Sequence, residues 1–288
     1  MQRRAFLAGT CAATAGAVAT VGSVAAGDGG GTLTIEVLPH ASVGPTDGAI
    51  GPVLEGARLF AQTWTDATPG SAEVRPEPTR IADFDIVPSY RDTLDALEAD
   101  DALGAERTPE TVTLCIVDGP TTAGAMRSYA GDDGIGAGKS GAYGYVNTGL
   151  GGLLGLRVGM PPSLTRNFAA HECAHAVLGW ADFPHYPADE THNDPSPGLR
   201  AHSCGAQDHP AASGLFVRHG ITPMATGYSA RESRNTPREH RFATVRGKPG
   251  ATAEPVDESW SYFNMAYVPQ FSGTARAAMA AHYRQFFS

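Results

Sequence analysis

The pentapeptide His171-Glu172-Cys173-Ala174-His175 constrains this chain more than any other segment. Residues four apart lie on one face of an α-helix, so a helix here presents two imidazoles to a single point, with a carboxylate beside them. Two neutral nitrogen ligands next to an acid are the beginning of a hydrolytic zinc site. In such a site Glu172 is not a ligand; it takes a proton from the metal's water. The chemistry works only if the segment is helical and largely buried.

The flanking residues predict that helix. Pro161-Pro162-Ser163-Leu164-Thr165 carries turn and start signals, with Ser163 as the expected cap. Phe168, Ala169, Cys173, Ala174, Val177 and Leu178 then form a broad apolar surface. Gly179 supplies a stop, and Trp180 to Pro184 cannot extend the helix far. A helix ending one turn after its second histidine lets the chain double back with a further ligand.

Arg3-Arg4-Ala5-Phe6-Leu7, followed by an Ala- and Gly-rich stretch to Ala26, reads as a twin-arginine export signal. Residues 1–26 are therefore expected to be removed, and 27–288 to form the functional domain, secreted with no membrane-inserted segment. The formal charge of −9 becomes −11 without Arg3 and Arg4, which makes nucleic acid a poor partner. After signal removal Cys115, Cys173 and Cys204 remain, an odd number. Cys115 reads as a buried thiol in mid-strand, while Cys173 and Cys204 are a possible disulfide pair.

Along the chain, Thr32 to Leu38 alternates like a strand, and Ala49 to Trp64 has helical spacing of apolar residues. Ala72 to Ile81, interrupted by Pro76 and Pro78, suits a sheet edge. Tyr90 to Leu103 reads as a second helix and Thr111 to Val117 as a buried strand. Gly138-Lys139-Ser140 lacks the spacing of a phosphate loop, which excludes nucleotide binding there. Tyr143 to Asn147 reads as an edge strand. Trp180 to about Gly273 has little regular pattern, and Ala275 to Phe287 closes the chain as a helix.

With this order of elements the chain resembles the metzincin-like zinc peptidases. Ile221-Thr222-Pro223-Met224-Ala225-Thr226-Gly227-Tyr228 is similar to the methionine turn beneath the metal in that family. The resemblance implies an α+β fold of zincin type: a twisted mixed sheet, an active-site helix, an irregular lower lobe and a C-terminal helix. It also implies Zn²⁺ held by His171, His175 and a third ligand. The family pattern H-E-x-x-H-x-x-G-x-x-H/D would place Gly at 178 and that ligand at 181, but this chain has Leu178 and Ala181. Gly179 and Asp182 each come one residue late, a shift that turns the following residue by roughly 100° at a helix end.

His185, Glu190, His192, His202 and His209 all follow in the same loop. His202, flanked by Ser203, Cys204 and Gly205, is the expected third ligand, with Asp182 as its rival. The expected activity is hydrolysis of peptide or protein substrates by metal-activated water, with Glu172 as general base. The substrate would lie along the edge strand near Tyr143 to Asn147; for Tyr228 a packing role is the stronger expectation, with the oxyanion as the alternative. A zinc hydrolase acting on a non-peptide substrate, and a non-catalytic secreted binding domain, are the rival readings.

Overall fold

A computed structural model of the chain describes residues 31–44, 47–103, 108, 110–127, 141–150, 158–178, 219–224, 261–262 and 265–287. The alternating apolar residues of β1 (Thr32–Pro39) make the sheet's first strand, with Leu33, Ile35 and Val37 buried on one face. Helix α1 (Ile50–Ala67) follows, and β2 (Ser71–Pro76) returns parallel to β1, pairing Thr32 with Ser71 through Val37 with Pro76. Parallel return requires a crossover, and α1 supplies it. Pro76 ends β2, which is an edge strand as its prolines predict.

Helix α2 (Tyr90–Glu98) starts on Ser89, whose side chain accepts from the Asp92 amide. It stops earlier than its sequence pattern suggests; Asp101–Leu103 continues as one 3₁₀ turn. Strand β3 (Thr111–Val117) has the predicted bounds and lies parallel to β1. The chain then forms β4 (Gly124–Arg127) and β5 (Ala142–Asn147).

The sheet order is β2-β1-β3-β5-β4, with β5 parallel to β3 and β4 antiparallel to β5. Tyr143 to Asn147 is thus not the edge expected from the sequence. β5 is hydrogen-bonded on both sides, all six of its residues are buried, and the edge is β4. A buried two-sided strand and an edge strand differ in what covers them, and covering elements are not written in a five-residue pattern.

A short ribbon of β6 (Gly149–Leu150) and β7 (Val158–Gly159) leads into α3 (Pro162–Leu178). Pro162 takes the first helical position, where its missing amide costs nothing. The Pro161 carbonyl accepts from the Thr165 amide at 3.0 Å, so Ser163 lies inside the helix and is not its cap. Nearly the whole circumference of α3 is buried. Three short strands, β8 (His219–Ile221), β9 (Ser261–Tyr262) and β10 (Met265–Tyr267), form a second sheet in the order β8-β10-β9. These two- and three-residue strands have no periodic signature in the sequence. Helix α4 (Gly273–Phe286) closes the chain, capped by the Ser272 hydroxyl on the Ala275 amide at 3.0 Å.

Two apolar cores flank the five-stranded sheet. The larger joins β1, β3 and β5 to α1, α3 and α4 through Phe60, Trp64, Leu114, Phe168, Cys173 and Met279, among others. The smaller, on the opposite face, joins Leu94, Leu97, Cys115, Tyr143 and Tyr145. Cys115 is a free, fully buried thiol, as expected. Cys173 is likewise free and fully buried, so the disulfide to Cys204 is not made. Among the described residues no helix is long and apolar enough to cross a membrane. The segment 1–26, expected to be an export signal, lies outside them.

Candidate metal centre

Helix α3 brings the two motif histidines together as their spacing demands. His171 Nε2 and His175 Nε2 are 2.9 Å apart, with ring centroids 4.6 Å apart and planes at 75°. The other nitrogen of His171, Nδ1, lies 2.5 Å from the Pro223 carbonyl. A carbonyl only accepts, so Nδ1 carries the proton and Nε2 of a neutral His171 presents a lone pair toward His175. This is the arrangement by which a main-chain acceptor fixes the tautomer of a metal-binding imidazole.

Burial decides the charge of both rings. His171 is 5% exposed, and loss of hydration pushes its pKa down to about 4. His175 is also pushed well below its ordinary value, first by burial and then by the neighbouring His171. Both are neutral near pH 7, the form that can ligate a metal. Two nitrogens on a tetrahedral zinc at about 2.0–2.1 Å lie roughly 3.3 Å apart. The observed separation is near that value and also serves a hydrogen bond between neutral rings. The donor set therefore fits zinc in type, charge and convergence.

Glu172 leaves α3 toward β4. Its carboxyl group packs on the backbone of Gly124 and is almost fully buried; burial pushes its pKa up to about 8. The strand it meets is the sheet's antiparallel edge. The segment leading into β4 is held by Asn147, whose Nδ2 donates to the carbonyls of Gly119 and Thr121 at 2.9 and 3.0 Å. Asn147 Oδ1 accepts from the amides of Gly119 and Gly149, both at 3.2 Å. All four of its bonding positions are used in the buried interior. The far end of β4 is tied to α2 by Arg127, which pairs with Asp95 and, at 2.7 Å, with Glu98.

Of the segment Ile221 to Tyr228, the structure describes residues 221–224. Thr222 and Met224 are each 1% exposed, and Met224 belongs to the same apolar core as α3. Pro223, between them, gives its carbonyl to His171. The proline is the residue the sequence did not single out: a main-chain acceptor leaves no mark in a sequence. His282 on α4 was also missed. It is 1% exposed and hydrogen-bonds the main chain of Val177 in the last turn of α3, bracing the end of the helix that carries the histidines.

Among the described residues no third histidine, cysteine or carboxylate joins His171 and His175 in a three-ligand group. His202, Asp182, His185, Glu190, His192, His209 and Tyr228 lie outside the described residues. No protein-family model, curated protein or solved structure matches the chain.

Proposed function

We propose that this protein is an exported zinc-dependent endopeptidase of metzincin-like type. One observation carries the reading: the Nε2 atoms of His171 and His175 converge to 2.9 Å while the Pro223 carbonyl, one residue before buried Met224, holds the His171 tautomer. His171 and His175 would hold the metal, with His202 as third ligand and Asp182 as the alternative. Bound zinc would supply a lowered water pKa and polarisation of the scissile carbonyl.

Glu172 takes the proton of the attacking water at its carboxylate and returns it to the leaving amine. Its burial raises its affinity for a proton, which suits the second half of that cycle. An extended substrate adds to β4, the edge strand among the described residues and the one against which Glu172 packs. The neighbourhood of a sheet edge favours a peptide over a small non-peptide ester or amide, because main-chain pairing then aligns the scissile bond. Arg3 and Arg4 direct the folded chain out of the cell by the twin-arginine route.

Metal analysis of purified protein, with and without chelator, tests the cofactor. Turnover of a labelled unfolded protein by the parent and by Glu172→Ala tests the mechanism. The variant keeps its zinc and loses on the order of 100-fold or more in kcat. Unchanged turnover in a zinc-loaded Glu172→Ala protein refutes the assignment.

A further inference from the structure

We propose that Gly124 is the positioning residue for Glu172: the missing side chain on β4 is the seat in which the catalytic carboxylate rests. A β-carbon placed on Gly124 would stand 2.4 Å from Glu172 Oε1 and 2.7 Å from both Cδ and Cγ. No atom pair of that kind tolerates such distances, so carboxylate and methyl compete for one volume. The backbone at Gly124 does not lie in the left-handed region, so its conformation imposes no need for glycine. The three nearest atoms all belong to Glu172, and their close approach requires glycine.

The seat fixes more than a contact. Gly124 pairs with Val146 of β5, and the Asn147 amide bonds the Ala123 carbonyl at 2.9 Å, so the floor beneath the carboxylate is anchored main chain. Side-chain alternation along β4 sends Ala125 into the smaller core and Arg127 to α2, while Met126, on the face of Gly124, packs against the larger core beside α3. Glu172 therefore meets β4 at the residue of that strand that has no side chain. A Glu side chain has three rotatable bonds, and a fitted seat removes most of its alternatives. The same seat sets the distance between the base and the edge along which a substrate lies.

This inference rests on the peptidase reading for its catalytic meaning, and on the contact alone for its physical content. The atoms that a methyl at position 124 meets run from Cγ to Oε1 of one rotatable side chain and include no main chain, so the side chain yields and the fold survives. Displacement of about 1 Å at a reacting group costs on the order of 100-fold in rate.

The experiment is Gly124→Ala in the full chain, made both in the parent and in the Glu172→Ala background. Four quantities are read: thermal midpoint of the metal-free protein, zinc affinity by competition with a chromogenic chelator, and kcat and KM on a labelled unfolded protein. In the parent, Gly124→Ala lowers kcat about 100-fold, changes KM far less, and leaves zinc affinity within about threefold. Its thermal cost disappears in the Glu172→Ala background, because the colliding carboxylate is gone, and shrinks when Glu172→Asp shortens the acid.

A thermal cost of equal size in both backgrounds, or failure of Gly124→Ala to fold in either, overturns the proposal and makes Gly124 a packing residue of β4. An undiminished kcat overturns it as well. A parent that cleaves nothing overturns the peptidase reading and the catalytic meaning of the seat. The seat itself is then decided by the thermal comparison, which needs no turnover.

Discussion

Gly56→Ala is the substitution whose outcome the structure specifies most closely. Gly56 lies on the buried face of α1, where α1 crosses α3. A β-carbon there would stand 2.2 Å from the Arg166 carbonyl oxygen, 2.7 Å from Ala169 Cβ and 3.0 Å from the Ala170 amide. Ordinary carbon–oxygen contact begins near 3.3 Å, so the helices must part by about 1 Å. Two of the three atoms are main chain and cannot rotate away. Overpacking of this kind costs about 1–3 kcal/mol, and the rigid backbone places it toward the upper end.

Alanine's better helix propensity returns about 1 kcal/mol, leaving a net loss of about 2 kcal/mol. For a domain of this size that lowers the thermal midpoint by about 4–8 °C. The displaced residues Ala169 and Ala170 immediately precede His171, so zinc affinity falls by about tenfold or more. Thermal denaturation of the metal-free protein and a zinc titration measure the two effects. A midpoint that holds or rises, with zinc affinity intact, would show that the helices do not meet at Gly56 and would refute the reasoning. The contrast with Gly124→Ala is informative: there the methyl meets one side chain with rotatable bonds, here mostly main chain.

Two further expectations concern protonation and ligation. Burial lowers the His282 pKa from 6.5 to about 3, so above pH 6.5 the ring is neutral whether the chain is folded or unfolded. As the pH falls from about 6.5 toward 3 the unfolded chain gains a proton that the folded chain refuses, and stability drops by about 1.4 kcal/mol per pH unit from this group. Metal-free His282→Gln should lose stability less steeply than the parent between pH 6 and 4, measured by urea denaturation; equal slopes would show that His282 carries none of the acid sensitivity. For the third ligand, His202→Ala weakens zinc binding by well over tenfold while Asp182→Ala leaves it near the parent value. The reverse pattern in a competition titration restores the family spacing with a one-residue insertion.

Helix α3 was legible from local chemistry alone, because its signals are local: two histidines one turn apart, a proline start and a glycine stop. So were β1 and β3, whose apolar, β-branched runs suit strands in most contexts, and the α4 helix. The identity of the edge strand was not. Tyr143 to Asn147 has the composition of a strand, but whether it lies inside the sheet depends on β4, whose four residues Gly-Ala-Met-Arg carry no periodic signal. The pairing of β8, β9 and β10 was hidden for the same reason, each strand being too short to announce itself.

At the site the division is sharper. Sequence spacing by itself puts His171, Glu172 and His175 on one helix, since the period of a helix is a property of the local chain. That the Pro223 carbonyl fixes one ring, that Gly124 seats the acid and that His282 braces the last turn are facts of tertiary structure. Each joins residues 48 or more positions apart through a main-chain atom, a missing side chain or a buried ring. Such contacts depend on how whole elements pack, and neither partner's local sequence encodes them.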